Sequence, residues 1–379
     1  MIDSINQKKI GALDIKNILL LVIILIIGVF LYTNFSLKPD LKPDFQQALS
    51  QAAELRDIDS KKAAEKFEIA LALAKTPEQK AIAKLFIANN YLDVEPAKGM
   101  KLLKEIVADN SMPSMQRAFA IQFIADKYML GLHSTKFARE NIFNDSPFDS
   151  FILPGNDKDT DAANIILKDR VGIRKIYEFA TDTFPIPVAN FWVAEWHARR
   201  VLMSNEYSNL PLVEERVEYI KKTKEYIEKG DLALPAFILH EGENSQVAYA
   251  YWVKGLALGY LYELEKKSEL QIEAEESFTK ALQILKSGST DYMKLQSLWA
   301  SFYYADFLAT SFGVDKKLEV KKSLSYIMEP RFFNDFVFLK YLRVVKDDKD
   351  SYTRKRIMRL TEQNVEFKDF LIRLGWEFN

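Results

Sequence analysis

From Ile18 to Tyr32 the chain runs ILLLVIILIIGVFLY, without a charge and with one glycine, Gly28. A soluble amphipathic helix carries a polar face, and this run has none, so the pattern predicts a transmembrane helix. Fifteen residues rise only about 22 Å, short of a hydrocarbon core of ~30 Å. Flanks from Ile15 to Phe35 extend the helix to about 32 Å, with Lys16 snorkelling and Asn17, Thr33 and Asn34 at the interfaces. The anchor is placed at 17–35. No A-x-A cleavage site follows the run, whose next alanine is Ala48, so the run is expected to be retained rather than removed as a signal peptide. Lys8, Lys9, Lys16 and the amino terminus on one side outweigh Lys38 and Lys42 on the other. Residues 1–16 are therefore expected in the cytoplasm and the body outside it, on the cell (inner) membrane of a single-pass protein.

Beyond a proline-containing spacer, 36–44 (SLKPDLKPD), the polar and apolar positions take a helical period. Asp59 is placed to cap one helix, and Thr76-Pro77 to open the next. A first helical block is expected over 45–143. Residues 144–161, with two prolines and many aspartates, read as a long loop. An irregular helical middle region, 162–243, is interrupted at Pro185 and Pro187, and its helix LVEERVEYIKKTKEYIEKG is expected to stop at Gly230 as a C-cap. A second block spans 244–330. Capping helices fill 331–379, where Arg354, Lys355, Arg356 and Arg359 are expected on a solvated face.

Inside the two blocks a pattern recurs. Ala63-x3-Phe67-x2-Ala70 returns as Gly99-x3-Leu103-x2-Ile106 about 36 residues on. Ala88-Asn89-Asn90-Tyr91 returns as Ala125-Asp126-Lys127-Tyr128 at nearly the same spacing. In the second block Leu258-Gly259-x2-Tyr262 precedes Ala274-x3-Phe278-x2-Ala281, and Ala300-x2-Tyr303 precedes Val320-x3-Leu324-x2-Ile327 and Pro330. These residues resemble the tetratricopeptide repeat, a helix-turn-helix unit of about 34 residues. The resemblance implies an all-α fold in which small residues let paired helices approach and large rings fill the space beside them. It departs from the family pattern in two ways. The first-helix tryptophan is replaced by Ile121, Gly255 and Gln296, and the turns after Tyr262 and Tyr303 are longer than the consensus.

Composition narrows the chemistry. Hydrophobic residues make up 48% of the chain, enough for a packed core, and a formal net charge of −1 gives no electrostatic reason to expect nucleic acid. The absence of cysteine excludes disulfides and thiol catalysis. Thirteen glycines and twelve prolines are few for the many turns of an all-β fold.

Taken singly, the candidate sites fall short of a working constellation. Asp157, Asp159 and Asp161 have the opening spacing of a calcium loop, but Ala162 and Lys168 stand where it requires glycine and glutamate. His133 has no partner motif. His240-Glu241-Gly242-Glu243 lacks a second histidine at i+4 and reads as a surface turn. Trp192, Trp196, His197, Arg199 and Arg200 fall on one helix, where they form either a core stripe with a basic outer face or an aromatic-arginine hot spot. Neither a nucleophile elbow nor a phosphate-binding glycine loop is present. No catalytic, cofactor or metal residue is assigned, and no cofactor is expected. The expected function is therefore a scaffold anchored in the lipid bilayer by residues 17–35, an α-solenoid of helix pairs whose groove docks a protein or peptide partner in envelope assembly or protein translocation. An accessory subunit or enzyme with a carboxylate-lined groove, and a homo-oligomeric structural envelope component, are the alternatives.

Overall fold

A computed structural model describes residues 44–56, 59–131, 174–206, 213–241, 244–286, 291–329, 337–346 and 352–378. The expected tail 1–16, anchor 17–35 and loop 144–161 lie outside these residues, as does the spacer 36–44 except Asp44. Among the described residues no helix is long and apolar enough to cross a membrane.

The fold is all-α, with no strand among the described residues. Helices α1 (Phe45–Arg56), α2 (Ser60–Leu73), α3 (Pro77–Val94), α4 (Pro96–Ala108) and α5 (Ser114–Gly131) are followed by a helical stretch at 174–183. Then come α6 (Pro187–Glu206), α7 (Val213–Glu241), α8 (Ser245–Glu265), α9 (Ser268–Lys286) and α10 (Asp291–Ser311). A 3-10 turn, Gly313–Lys316, leads into α11 (Lys317–Ile327), and α12 (Val337–Lys346), α13 (Tyr352–Gln363) and α14 (Val365–Arg373) close the chain. The expected starts are met where capping chemistry dictated them. Asp59 accepts from the Lys62 N–H, and Thr76 and Gln79 form a reciprocal capping box ahead of Pro77.

Successive helices pack in pairs, α1 on α2, α3 on α4, α6 on α7, α8 on α9 and α10 on α11, and each second helix through α9 also touches the first helix of the next pair described. First helices additionally meet one another: α1 with α3, α3 with α5, α6 with α8, α8 with α10 and α10 with α13. They form the tight inner row of the stack. On the second helices the same i, i+4, i+7 set is buried each time: Ala63, Phe67 and Ala70 on α2, Ala274, Phe278 and Ala281 on α9, Val320, Leu324 and Ile327 on α11. A core of shared apolar contacts runs from Leu85 to Trp376, with two small clusters closing the α1–α3 end.

Close approach explains the glycines here. A Cβ on Gly255 would lie 2.8 Å from the Phe278 ring, and one on Gly259 would lie 2.9 Å from Phe307. The ring of a neighbouring helix thus occupies the space that the missing side chain leaves. The long turn expected after Tyr262 is instead helix: α8 continues to Glu265, and only Lys266, in the left-handed region at φ 57°, and Lys267 separate it from α9.

The expected stop at Gly230 is corrected, because α7 continues through it and through Pro235 to Glu241, which places His240 and Glu241 in helix rather than in a surface turn. Thr223, Ile227 and Gly230 repeat the buried spacing of the other second helices, and a Cβ at Gly230 would stand 2.4 Å from the Phe191 ring. Beyond it Leu234 and Phe237 are buried, the latter 6.0 Å from Phe119 of α5, and this packing carries the helix past two breakers. Gly230→Ala is expected to lower stability by about 1–3 kcal/mol, since Phe191 is fully buried and has nowhere to move. A shift in urea midpoint at unchanged slope checks it.

Candidate functional site

The inner row presents rings at helical spacing. Tyr249 and Trp252 of α8 lie between Trp192 of α6 and Trp299 and Tyr303 of α10. Trp192 meets Trp252 edge-on at 5.6 Å, and Tyr303 stacks on Trp252 at 5.6 Å and on Trp299 at 5.9 Å. Their polar tips are satisfied within the same row. The Trp252 indole donates to Gln296 Oε1 at 2.8 Å, and the Trp192 indole donates to the Tyr249 hydroxyl at 2.8 Å. Asp126 Oδ1 on α5 accepts from the hydroxyls of Tyr249, at 2.9 Å, and Tyr177, at 2.6 Å. One carboxylate thereby holds together α5, the 174–183 stretch and α8. Burial raises the Tyr177 phenol well above its usual value, and the Asp126 charge adds to that, so the hydroxyl stays protonated as a donor.

At the other end of the row the chemistry is ionic. Glu195 and Arg199 project from α6, Tyr260 and Glu263 from α8 and Asp306 from α10, and Tyr352, Thr353 and Arg356 of α13 meet them. Arg356 is 4% exposed. Its Nε bonds Asp306 Oδ2 at 2.6 Å, and its Nη1 bonds Glu263 Oε1 at 2.7 Å and the Tyr352 hydroxyl at 2.6 Å. The guanidinium also lies over the Tyr260 ring, 4.9 Å from its centroid. Burial opposes the charge on Arg356, but Asp306, Tyr352 and Glu263 together outweigh it and hold the group cationic. Arg199 Nη2 donates to Thr353 Oγ1 at 3.0 Å. The expected solvated face of α13 is therefore corrected: Lys355 is exposed and Arg359 is exposed, whereas Arg356 is the charged centre of a buried contact. Its charged partners, Asp306 and Glu263, lie 50 and 93 residues away in the sequence, and charge counting along the chain does not reach them.

The five residues singled out on α6 divide between two surroundings. Trp192 and Arg199 belong to the inner row. His197 faces the other way, fully buried between the 174–183 stretch and α7, with Trp196 at 5.1 Å, Tyr219 at 5.4 Å and Tyr226 at 6.0 Å around its ring. Neither imidazole nitrogen has a hydrogen-bond partner, and Glu178 Oε1 stands 4.0 Å from Nε2. Burial pushes the imidazole down to about 3, and the positive charges of Arg174 and Lys222 add to the shift, so His197 is neutral at physiological pH. Trp196 is half-buried with the Arg174 guanidinium over its ring at 4.5 Å, and Arg200 is also half-buried. Arg199 is buried, so the basic outer face expected of this helix is absent at that position.

Asp157, Asp159, Asp161 and His133 lie outside the described residues, and of His240 only the backbone is described. No group of three metal-ligating side chains gathers among the described residues. The inner carboxylates that do converge, Glu263 and Asp306, are committed to Arg356. No protein-family model matches the chain, and no curated protein matches it in sequence.

Proposed function

We propose that the protein is a membrane-anchored scaffold of tetratricopeptide-like helix pairs, an α-solenoid tethered to the bilayer by residues 17–35, whose extracytoplasmic body docks a segment of another protein. The observation that carries the reading is the pairing of a repeated buried set on the second helices with two runs of touching first helices, α1–α3–α5 and α6–α8–α10–α13. A stack of this kind offers an extended surface rather than a closed pocket.

Two measurements on the full chain test it. Protease protection in intact spheroplasts follows the body: digestion from the outer side supports the anchor and its orientation, and protection counts against them. Cross-linking in cells followed by mass spectrometry reads the partner. Links from the first helices to one segment of a second protein support docking, and links confined to copies of the chain overturn it in favour of self-assembly.

A further inference from the structure

The α13 helix does not behave as one more unit of the stack. A next first helix would meet the pair before it, and α13 does pack on α10. Its first two turns, however, reach back past α10 to α8 through Arg356–Glu263 and to α6 through Thr353–Arg199, the first helices of the two pairs before that. It lies across the ionic end of the inner row. Without α13, that row would present three carboxylates, Glu195, Glu263 and Asp306, to one guanidinium, Arg199, beside the face of Tyr260. The bare surface is an acidic, aromatic cradle.

The construction of the contact suggests its use. A permanent internal seam gains more from apolar packing than from charges, because both ions must be stripped of water before they pair. Here Ile357 and Leu360 supply apolar burial, yet the contacts to α10 and α8 are held by a buried guanidinium, two carboxylates and a phenol, and the contact to α6 by an arginine and a hydroxyl. Polar atoms are also left unmatched along the seam: Arg199 Nε on one side and Gln363 Oε1 at the far end of α13. Charge pairs confer selectivity and speed of encounter, and unmatched atoms lower the cost of separation.

We infer that α13 is a built-in occupant of this cradle, and that the partner which displaces it is a helix presenting a tyrosine and an arginine four residues apart. This deepens the docking reading and rests on it. The arginine of such a helix would take the place between Asp306 and Glu263, and its tyrosine would pack where Tyr352 does. In the resting chain the site is closed by its own helix α13, the last but one.

Two readouts on the full chain in detergent micelles test this. Hydrogen exchange compares α13 with α10: α13 amides at least tenfold less protected support an occupant that leaves independently, whereas exchange in step with α10 overturns it. The second uses a fluorescein-labelled peptide copying residues 352–363. Arg356→Ala, which weakens the internal occupant, is expected to bind this peptide at least tenfold more tightly than the parent chain. A peptide with alanine at the arginine position is expected not to bind. Binding of the peptide by neither chain, or equal binding of both peptides, sinks the inference. Should Arg356→Ala lose its helical circular dichroism, the exchange comparison on the parent chain still separates the two outcomes. Cross-links in cells without peptide binding would remove this inference alone, and peptide binding without a cross-linked partner would remove the docking reading.

Discussion

Arg356→Met is expected to lower the unfolding free energy by about 3–5 kcal/mol, the usual cost of leaving buried carboxylates without their counter-ion. Asp306 and Glu263 have side chains 6% and 11% exposed, so water cannot replace the lost guanidinium. The Tyr352 hydroxyl loses its partner in the same step. Removing both sides of the contact has a different outcome. The triple variant Arg356→Met, Glu263→Met, Asp306→Leu should recover the loss and exceed the parent by about 1–4 kcal/mol, because no ion then has to be desolvated. Urea titration of the full chain in micelles, followed by tryptophan fluorescence, checks both. Trp192, Trp196, Trp252, Trp299 and Trp376 all lie in the part of the chain that this contact joins. A single variant within about 1 kcal/mol of the parent would mean that the contact is far weaker than its burial implies.

Lowering the pH from 7.5 to 5 is expected to cost about 2 kcal/mol through His197 alone. The sign follows from the direction of the shift. In the folded chain the imidazole titrates at about 3, against 6.5 for a free histidine. Between those values the unfolded chain binds a proton that the folded chain refuses, so stability falls with acidification by about 1.4 kcal/mol per pH unit. The loss continues until the pH reaches the folded value. Arg174 from the 174–183 stretch and Lys222 from α7 face the ring and reinforce its neutrality. Glu178 works in the opposite sense: burial raises its carboxyl despite Arg174 and Lys222, so acid relieves a small part of the penalty. His197→Phe keeps a ring among Trp196, Tyr219 and Tyr226 and removes the titration. Its urea midpoint should therefore fall less than that of the parent between pH 7.5 and 5, and parallel curves would show that the imidazole already protonates in place.

Local chemistry was legible in the chain wherever neighbours in sequence decide the outcome. The Asp59 cap, the Thr76-Pro77 start and the buried triplets of α2, α4, α9 and α11 all depend on residues within two turns of one another. Gly230 shows where that reach ends. A glycine followed by a proline carries the local signature of a helix stop, and what overrides it is Phe191 from the preceding helix and Phe119 from α5. Tyr303 and Tyr304 teach the same lesson at finer scale. The spacing Ala300-x2-Tyr303 selects the first of them, yet Tyr304 is the ring beside Phe278 of α9, at 5.5 Å, and Tyr303 joins the inner aromatics. Adjacent identical residues point about 100° apart on a helix, and only the neighbour shows which one faces it.

By itself the sequence determined an all-helical chain, the small and large positions that let its helices pair, and the apolar run at 17–35 that predicts a tether. Those follow from periodicity, capping and the covalent preferences of single residues, which act over a few positions. Tertiary structure alone decided that Arg356 is buried rather than solvated, that His197 is sealed among rings, and that α13 lies across the first helices of three earlier pairs. Charge and burial at those sites are set by groups as far apart in the chain as Arg199 and Thr353, and a pattern of near neighbours carries no information about a contact closed at that distance.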